Sequence, residues 1–129
     1  MERQRNSFLT PLDVRVMESG KQFRLLNQFT YYYQPLDTHI RVAAGFVTDF
    51  ASIPQPFHLI ISKLGRYNKA AVIHDALYQG VIAGGTTKRK VADKVFLQGM
   101  VDLGVKRWKR NLMYRAVRLF GWMAWRKQK

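Results

Sequence analysis

The apolar residues of this 129-residue chain recur at every second position up to about residue 50, and at helical spacing beyond Pro54. A strand buries one face with period two and a helix buries a stripe with period 3.6. A single switch of period therefore divides the chain into a sheet-forming part and a helix-forming part. In "PLDVRVME", Leu12, Val14 and Val16 alternate with Asp13, Arg15 and Met17, as in a half-buried strand. "ESGK" supplies a turn and "QFRLL" the returning strand. "FTYYY" and "HIRVAAGFV" are two further β-rich stretches around the turn-like "QPLD". Residues 11–50 are expected to form a small antiparallel sheet, preceded by an N-terminal arm over 1–10.

Beyond the switch, "NKAAVIHDALYQGVIA" places Ala70, Ile73, Leu77 and Val81 at helical spacing over 69–83, with Asn68 as the expected N-cap. "GGTT" interrupts it. The next helix recurs at Ala92, Val95, Phe96, Gly99 and Leu103, with Thr86 or Thr87 as cap and Gly104 as stop. A last helix begins near Val105, with a stripe of Trp108, Leu112, Ala116, Leu119 and Met123 and its cations mostly off that stripe. There is no internal repeat or linker. The expectation is one α+β domain over 1–129: a small antiparallel sheet, then about three helices within 68–126.

Composition narrows the class. An apolar fraction of 47% and an aromatic fraction of 13% suffice for a packed core. No cysteine is present, which excludes disulfides and thiolate metal sites and suits a reducing cytoplasm. The opening "MERQRNSFLTP" is charged without an apolar stretch behind it, so a secretory signal peptide is not expected. The net charge of +14 draws polyanions. Beyond Asp102 there is no acid, while Lys106, Arg107, Lys109, Arg110, Arg115, Arg118, Arg126, Lys127 and Lys129 follow. With Trp108, Trp122 and Trp125 among them, this segment has several readings. It can be a docked helix with a solvated basic face or an interfacial helix on an anionic membrane. It can also be a non-specific contact to nucleic-acid phosphates, or a docking element for acidic neighbours in an assembly.

One stretch stands out chemically. "AAVIHDALYQG" sets His74 and Asp75 inside an apolar run, with Tyr78 one turn after His74 on the same face. Asp93 sits on the following helix, close behind a short connection, so the two helices are expected to be antiparallel neighbours. Asp49, in "GFVTDFASIP", closes the sheet region. A carboxylate buried without a partner costs several kcal/mol, on the order of 3–5, so these acids must be paired or metal-bound. A histidine oriented by a carboxylate is what a general base needs to activate water. The same cluster also serves as a hydrogen-bonded network that fixes helix packing. Spacing alone leaves both readings open. His39 and His58 lack such company and read as surface or loop histidines. Tyr31, Tyr32 and Tyr33 read as strand packing.

Four blocks in order, "GFVTDFASIP", "AAVIHDALY", "VADKVF" and "MYRAVRLFGWMAW", resemble a family of bacteriophage and prophage proteins catalogued only as a domain of unknown function. In "RVAAGF" a proline is expected after the valine in that family. The resemblance implies a phage product encoded among tail or lysis functions. It would be a virion component made in the host cytoplasm, with other phage structural proteins as partners. Over residues 70–96 only, "HDALY" and "ADKVF" are similar to the paired helix motifs of phospholipases A2 of the parvovirus capsid type. That likeness implies a lipid-ester hydrolase working at a membrane. His74 would be the base, Asp75 the ligand of Ca2+, and Tyr78 with Asp93 the pair that orients the histidine. The glycine-rich calcium loop of those enzymes, Y-x-G-x-G, is not matched; "LGRYNK" is the nearest stretch. Asp49 is then the remaining candidate metal ligand.

Overall fold

The computed structural model describes residues 7–20, 22–49, 67–80, 88–122 and 125. Strands β1 (Val14–Val16), β2 (Phe23–Leu25), β3 (Phe29–Tyr33), β4 (Thr38–Val42) and β5 (Val47–Thr48) precede helices α1 (Asn68–Tyr78), α2 (Arg89–Asp102) and α3 (Arg107–Phe120). The α+β order follows the period switch.

The strands form two antiparallel sheets, where the sequence suggested one. β1, β2 and β5 make the first, with Val14 opposite Leu25 and Phe23 opposite Thr48. β3 and β4 make the second, a hairpin pairing Phe29 with Val42 and Tyr33 with Thr38. The turn after β4 brings β5 back onto β2: the Leu25 amide donates to the Phe46 carbonyl at 2.9 Å, and the Gly45 amide to the Leu25 carbonyl at 2.8 Å. Of the expected inward set on β1, Leu12 and Val14 pack against the core, but Val16 is 61% exposed. β1 is a three-residue edge strand, so its far end has no layer above it. Tyr31 and Tyr33 are buried, as strand packing requires, and His39 is exposed. His58 lies outside the described residues.

Helix boundaries shift slightly. Asn68 is the first helical residue and not the cap, because Tyr67 already has helical dihedrals and its carbonyl accepts from the Ala71 amide at 3.0 Å. The described part of α1 stops at Tyr78, followed by Gly80 at φ +115, a conformation that ends a helix before residue 83. Thr86 and Thr87 lie outside the described residues; Lys88 occupies the cap position of α2. Gly104 stops α2 as expected. At φ +76 it lets the Gly104 amide reach the Val101 carbonyl and the Val105 amide the Met100 carbonyl, the double bond of a Schellman motif.

The core lies between the sheets and α1, with α2 packed behind. Leu25, Phe29, Tyr31, Ile40 and Val42 meet Val72, Ile73, Val95, Phe96 and Met100 there. α1 and α2 approach closely: a methyl placed on Gly99 would stand 2.8 Å from the Ala70 Cβ. Buried Asp102 accepts from the Tyr31 hydroxyl at 2.8 Å and the Gln98 amide at 2.9 Å, tying the β3–β4 hairpin to α2. The stripe on α3 holds in part. Ala116 is buried and Leu112 packs against the core, while Trp108 and Leu119 are 54% and 66% exposed; Met123 lies outside the described residues. The helix is turned so that Met113 and Val117, off the expected stripe, are buried as well. Among the described residues no helix is long and apolar enough to cross a membrane.

Candidate functional site

His74 and Tyr78 occupy one face of α1 because they are one turn apart, and that face packs on α2 through the apolar positions around them. α2 runs antiparallel to α1: Ala70 meets Gly99 at one end, and His74 meets Asp93 at the other. The convergence expected from the short connection is present. His74 Nε2 lies 2.7 Å from Asp93 Oδ1, and the Tyr78 hydroxyl donates to the same oxygen at 2.6 Å. His74, Tyr78 and Asp93 are 4%, 6% and 0% exposed. The rings of Tyr78 and Phe96 pack against the imidazole, with centroids 4.3 and 4.8 Å away.

Two arginines complete the centre, and neither was singled out in the sequence. Arg118, from α3, donates to Asp93 Oδ2 at 2.7 Å. Arg89 lies 3.5 Å from the same oxygen and also donates to the Val117 and Arg118 carbonyls at 3.0 and 3.2 Å. Arg89 and Asp93 stand at i and i+4 on α2, a pairing visible in the spacing. Arg118 carried no such signal, because only the packing of α3 brings it there. Gly121 was also missed: a methyl on it would stand 2.6 Å from the Tyr78 hydroxyl, so the absent side chain lets the end of α3 close over the centre.

The electrostatics have a clear sign. Burial alone pushes the Asp93 carboxyl up, but the bonds from His74, Tyr78 and Arg118 outweigh it and hold the group below the ordinary aspartate value. Asp93 is thus an anion at neutral pH. Burial, then the Asp93 bond, raises Tyr78 far above its usual value, so its hydroxyl stays protonated and donating. A carboxylate that accepts at Nε2 fixes the imidazole proton on that nitrogen and leaves a lone pair on Nδ1. His74 Nδ1 is buried and has no hydrogen-bond partner among the described residues.

Asp75 and Asp49 do not join this centre. Asp75 projects from the neighbouring face of α1 and is half-buried. Its Oδ2 accepts from the Thr48 hydroxyl at 2.5 Å and from the Asp49 amide at 3.3 Å, fastening the end of β5 to α1. Calcium takes about six to eight oxygen ligands. Here the groups beside Asp75 Oδ2 are hydrogen-bond donors, and no set of three or more His, Asp or Glu side chains able to hold a metal occurs among the described residues.

Residues 23–117 match the family described as "Protein of unknown function (DUF1353)". The chain belongs to this family. The matched span runs from β2 into α3 and contains His74, Asp75, Tyr78, Asp93 and Asp49. No curated protein and no solved structure matches this DUF1353 chain.

Proposed function

We propose that this DUF1353 protein is a small hydrolase in which His74 is the general base. The observation that carries the reading is the asymmetry of the imidazole: Nε2 is held by an ionised carboxylate, while Nδ1 has no partner among the described residues. A ring held in one tautomer with its other nitrogen unpaired, though buried, has the lone pair that takes a proton from water as that water attacks a carbonyl carbon. Asp93 and Tyr78 are positioning residues, which fix the ring and stabilise the imidazolium that forms. The likeness of "HDALY" and "AD" to phospholipases A2 points to esters of lipids as the substrate class. The test is release of fatty acid from phospholipid vesicles by the purified protein and by His74→Ala.

The outer face of α3 supports a membrane as the place of action. Trp108 and Leu119 fall within about 60° of Arg115 and Trp122 around the helix axis, and all four are exposed. Aromatic rings beside cations suit the headgroup region of an anionic bilayer. Vesicles containing phosphatidylserine are expected to sediment the protein in low salt, and the Trp108→Ala/Trp122→Ala double variant is expected to stay in the supernatant. Retention by duplex DNA without vesicle binding would transfer this face to nucleic-acid phosphates.

A second reading is a structural or accessory component of a phage particle, sited in its tail, which the four motif blocks support. In this reading the polar centre is architectural: one carboxylate and one guanidinium, Asp93 and Arg89, link α1, α2 and α3. The two readings coexist if the particle carries its own enzyme. Washed phage particles are expected to retain the protein in fixed stoichiometry under this reading; loss on washing overturns it.

A further inference from the structure

Arg118 belongs at once to the outer ridge of α3 and to the buried centre. Arg115, Arg118 and Trp122 are spaced i, i+3 and i+7, a single ridge running off the end of the helix. Arg115 and Trp122 are exposed, and the Arg118 side chain is 32% exposed. From that ridge Arg118 Nη1 donates inward to Asp93 Oδ2 at 2.7 Å, and Asp93 itself does not reach water.

The guanidinium faces two ways. An arginine carries its N–H donors in one planar fork, and Nη1 makes the inward bond here. Nε and Nη2 bond nothing among the described residues. The buried side-chain nitrogens and oxygens without a partner there are His74 Nδ1 and the Tyr67 hydroxyl, so these Arg118 donors open to solvent. They are also held in place. Asp93 anchors one edge of the fork, and Arg89 donates to the Val117 and Arg118 carbonyls at 3.0 and 3.2 Å, which braces the backbone beneath it. Donors fixed beforehand lose little freedom on binding, and a planar fork matches the oxygens of a phosphate. No acid follows Asp102 in the chain, so α3 supplies no carboxylate to answer the charge of the ridge.

The neighbours of the fork favour a lipid as the source of that phosphate. Trp122 stands one turn beyond Arg118, and Leu119, the next residue, is 66% exposed. A free phosphate ion or a nucleic-acid backbone leaves those apolar groups in water. A bilayer takes them into the boundary between headgroups and acyl chains.

We propose that the outward edge of Arg118 binds the phosphate of a membrane lipid, with Asp93 as the buried residue that positions it. Such a site deepens the membrane reading of α3 and rests on it. Its consequence is opposite in sign to charge counting. Asp93 lies too deep to meet a lipid, and removing its negative charge makes the protein more basic. Attraction by charge alone then grows, whereas a fork released from its carboxylate holds the phosphate less well.

The experiment is sedimentation of the full chain with vesicles of phosphatidylglycerol and phosphatidylcholine in low salt, beside thermal melting. Arg118→Lys keeps the charge but loses the fork, and is expected to weaken vesicle affinity about five-fold, the worth of one cation at such a surface. Arg115→Lys, at an exposed position, is expected to bind like the parent. Asp93→Asn, measured where melting shows it folded, is expected to bind more weakly than the parent despite its added positive charge. If that variant does not fold, Arg118→Lys decides alone. Parent-like affinity in Arg118→Lys, an equal loss in Arg115→Lys, or tighter binding by folded Asp93→Asn overturns the site while the membrane reading stands. Inorganic phosphate bound as tightly as the vesicles overturns the lipid as its ligand. So does a loss of duplex-DNA retention in Arg118→Lys with vesicle binding intact. Absence of vesicle binding by the parent overturns both the site and the membrane reading.

Discussion

Replacing His74 by alanine is expected to slow ester hydrolysis by about a hundred- to ten-thousand-fold, the range in which a positioned acid–base group contributes. The size follows from the role proposed for the side chain. Without the imidazole, water must attack without a base beside it, and the leaving alkoxide has no proton donor. The loss should fall on kcat, since the Nδ1 interaction strengthens as charge develops. His74→Gln keeps a polar group near Asp93 and should melt closer to the parent than His74→Ala, yet be as inactive. Activity in either variant equal to that of the parent would remove the imidazole from the chemistry and leave the centre as a packing device.

The largest effect on stability is expected at Asp93. This carboxylate accepts from His74, Tyr78 and Arg118 with no exposure to water. Asp93→Asn removes the charge while the arginines remain, and breaking one partner of a buried ion pair costs about 3–5 kcal/mol. With a urea dependence of about 1–3 kcal/mol per molar, the unfolding midpoint should fall by about 1 M or more. The pH dependence has a definite sign. The folded-state pKa of Asp93 is lowered, so its stabilisation is complete above the unfolded carboxyl value of about 3.9 and disappears as pH falls through the lower folded value. The parent should lose stability in that acid window. Asp93→Asn should start lower and lose less there. An unchanged midpoint would show that the surrounding residues satisfy the arginines without this carboxylate.

Much of this could be read in the sequence, for identifiable reasons. The alternation around Val14 and the helical recurrence of Ala70, Ile73 and Leu77 are local patterns, and local patterns survive folding. His74, Tyr78 and Asp93 converge because one turn of helix and one short connection leave few other arrangements. Two sheets in place of one could not be read, since β5 returns to β2 through a turn whose direction depends on tertiary contacts. The buried face of α3 was misjudged for a related cause. Trp108 and Leu119 are as apolar as Met113 and Val117, so apolarity alone does not tell which side docks. Arg118 reaches Asp93 from across that same docking. The pairing of Asp75 with Thr48 and the Asp49 amide depends on where β5 ends, which no spacing rule encodes.

The contact between Ala70 and Gly99 has a further consequence. Side chains flex, but two main chains pressed together with only one methyl between them act as a mechanical stop. That stop lies one turn of α1 from His74 and less than two turns of α2 from Asp93. The interval across the imidazole–carboxylate bond is therefore gauged by the backbone and not by the rotamers of the two partners, so the centre is assembled once the helices seat.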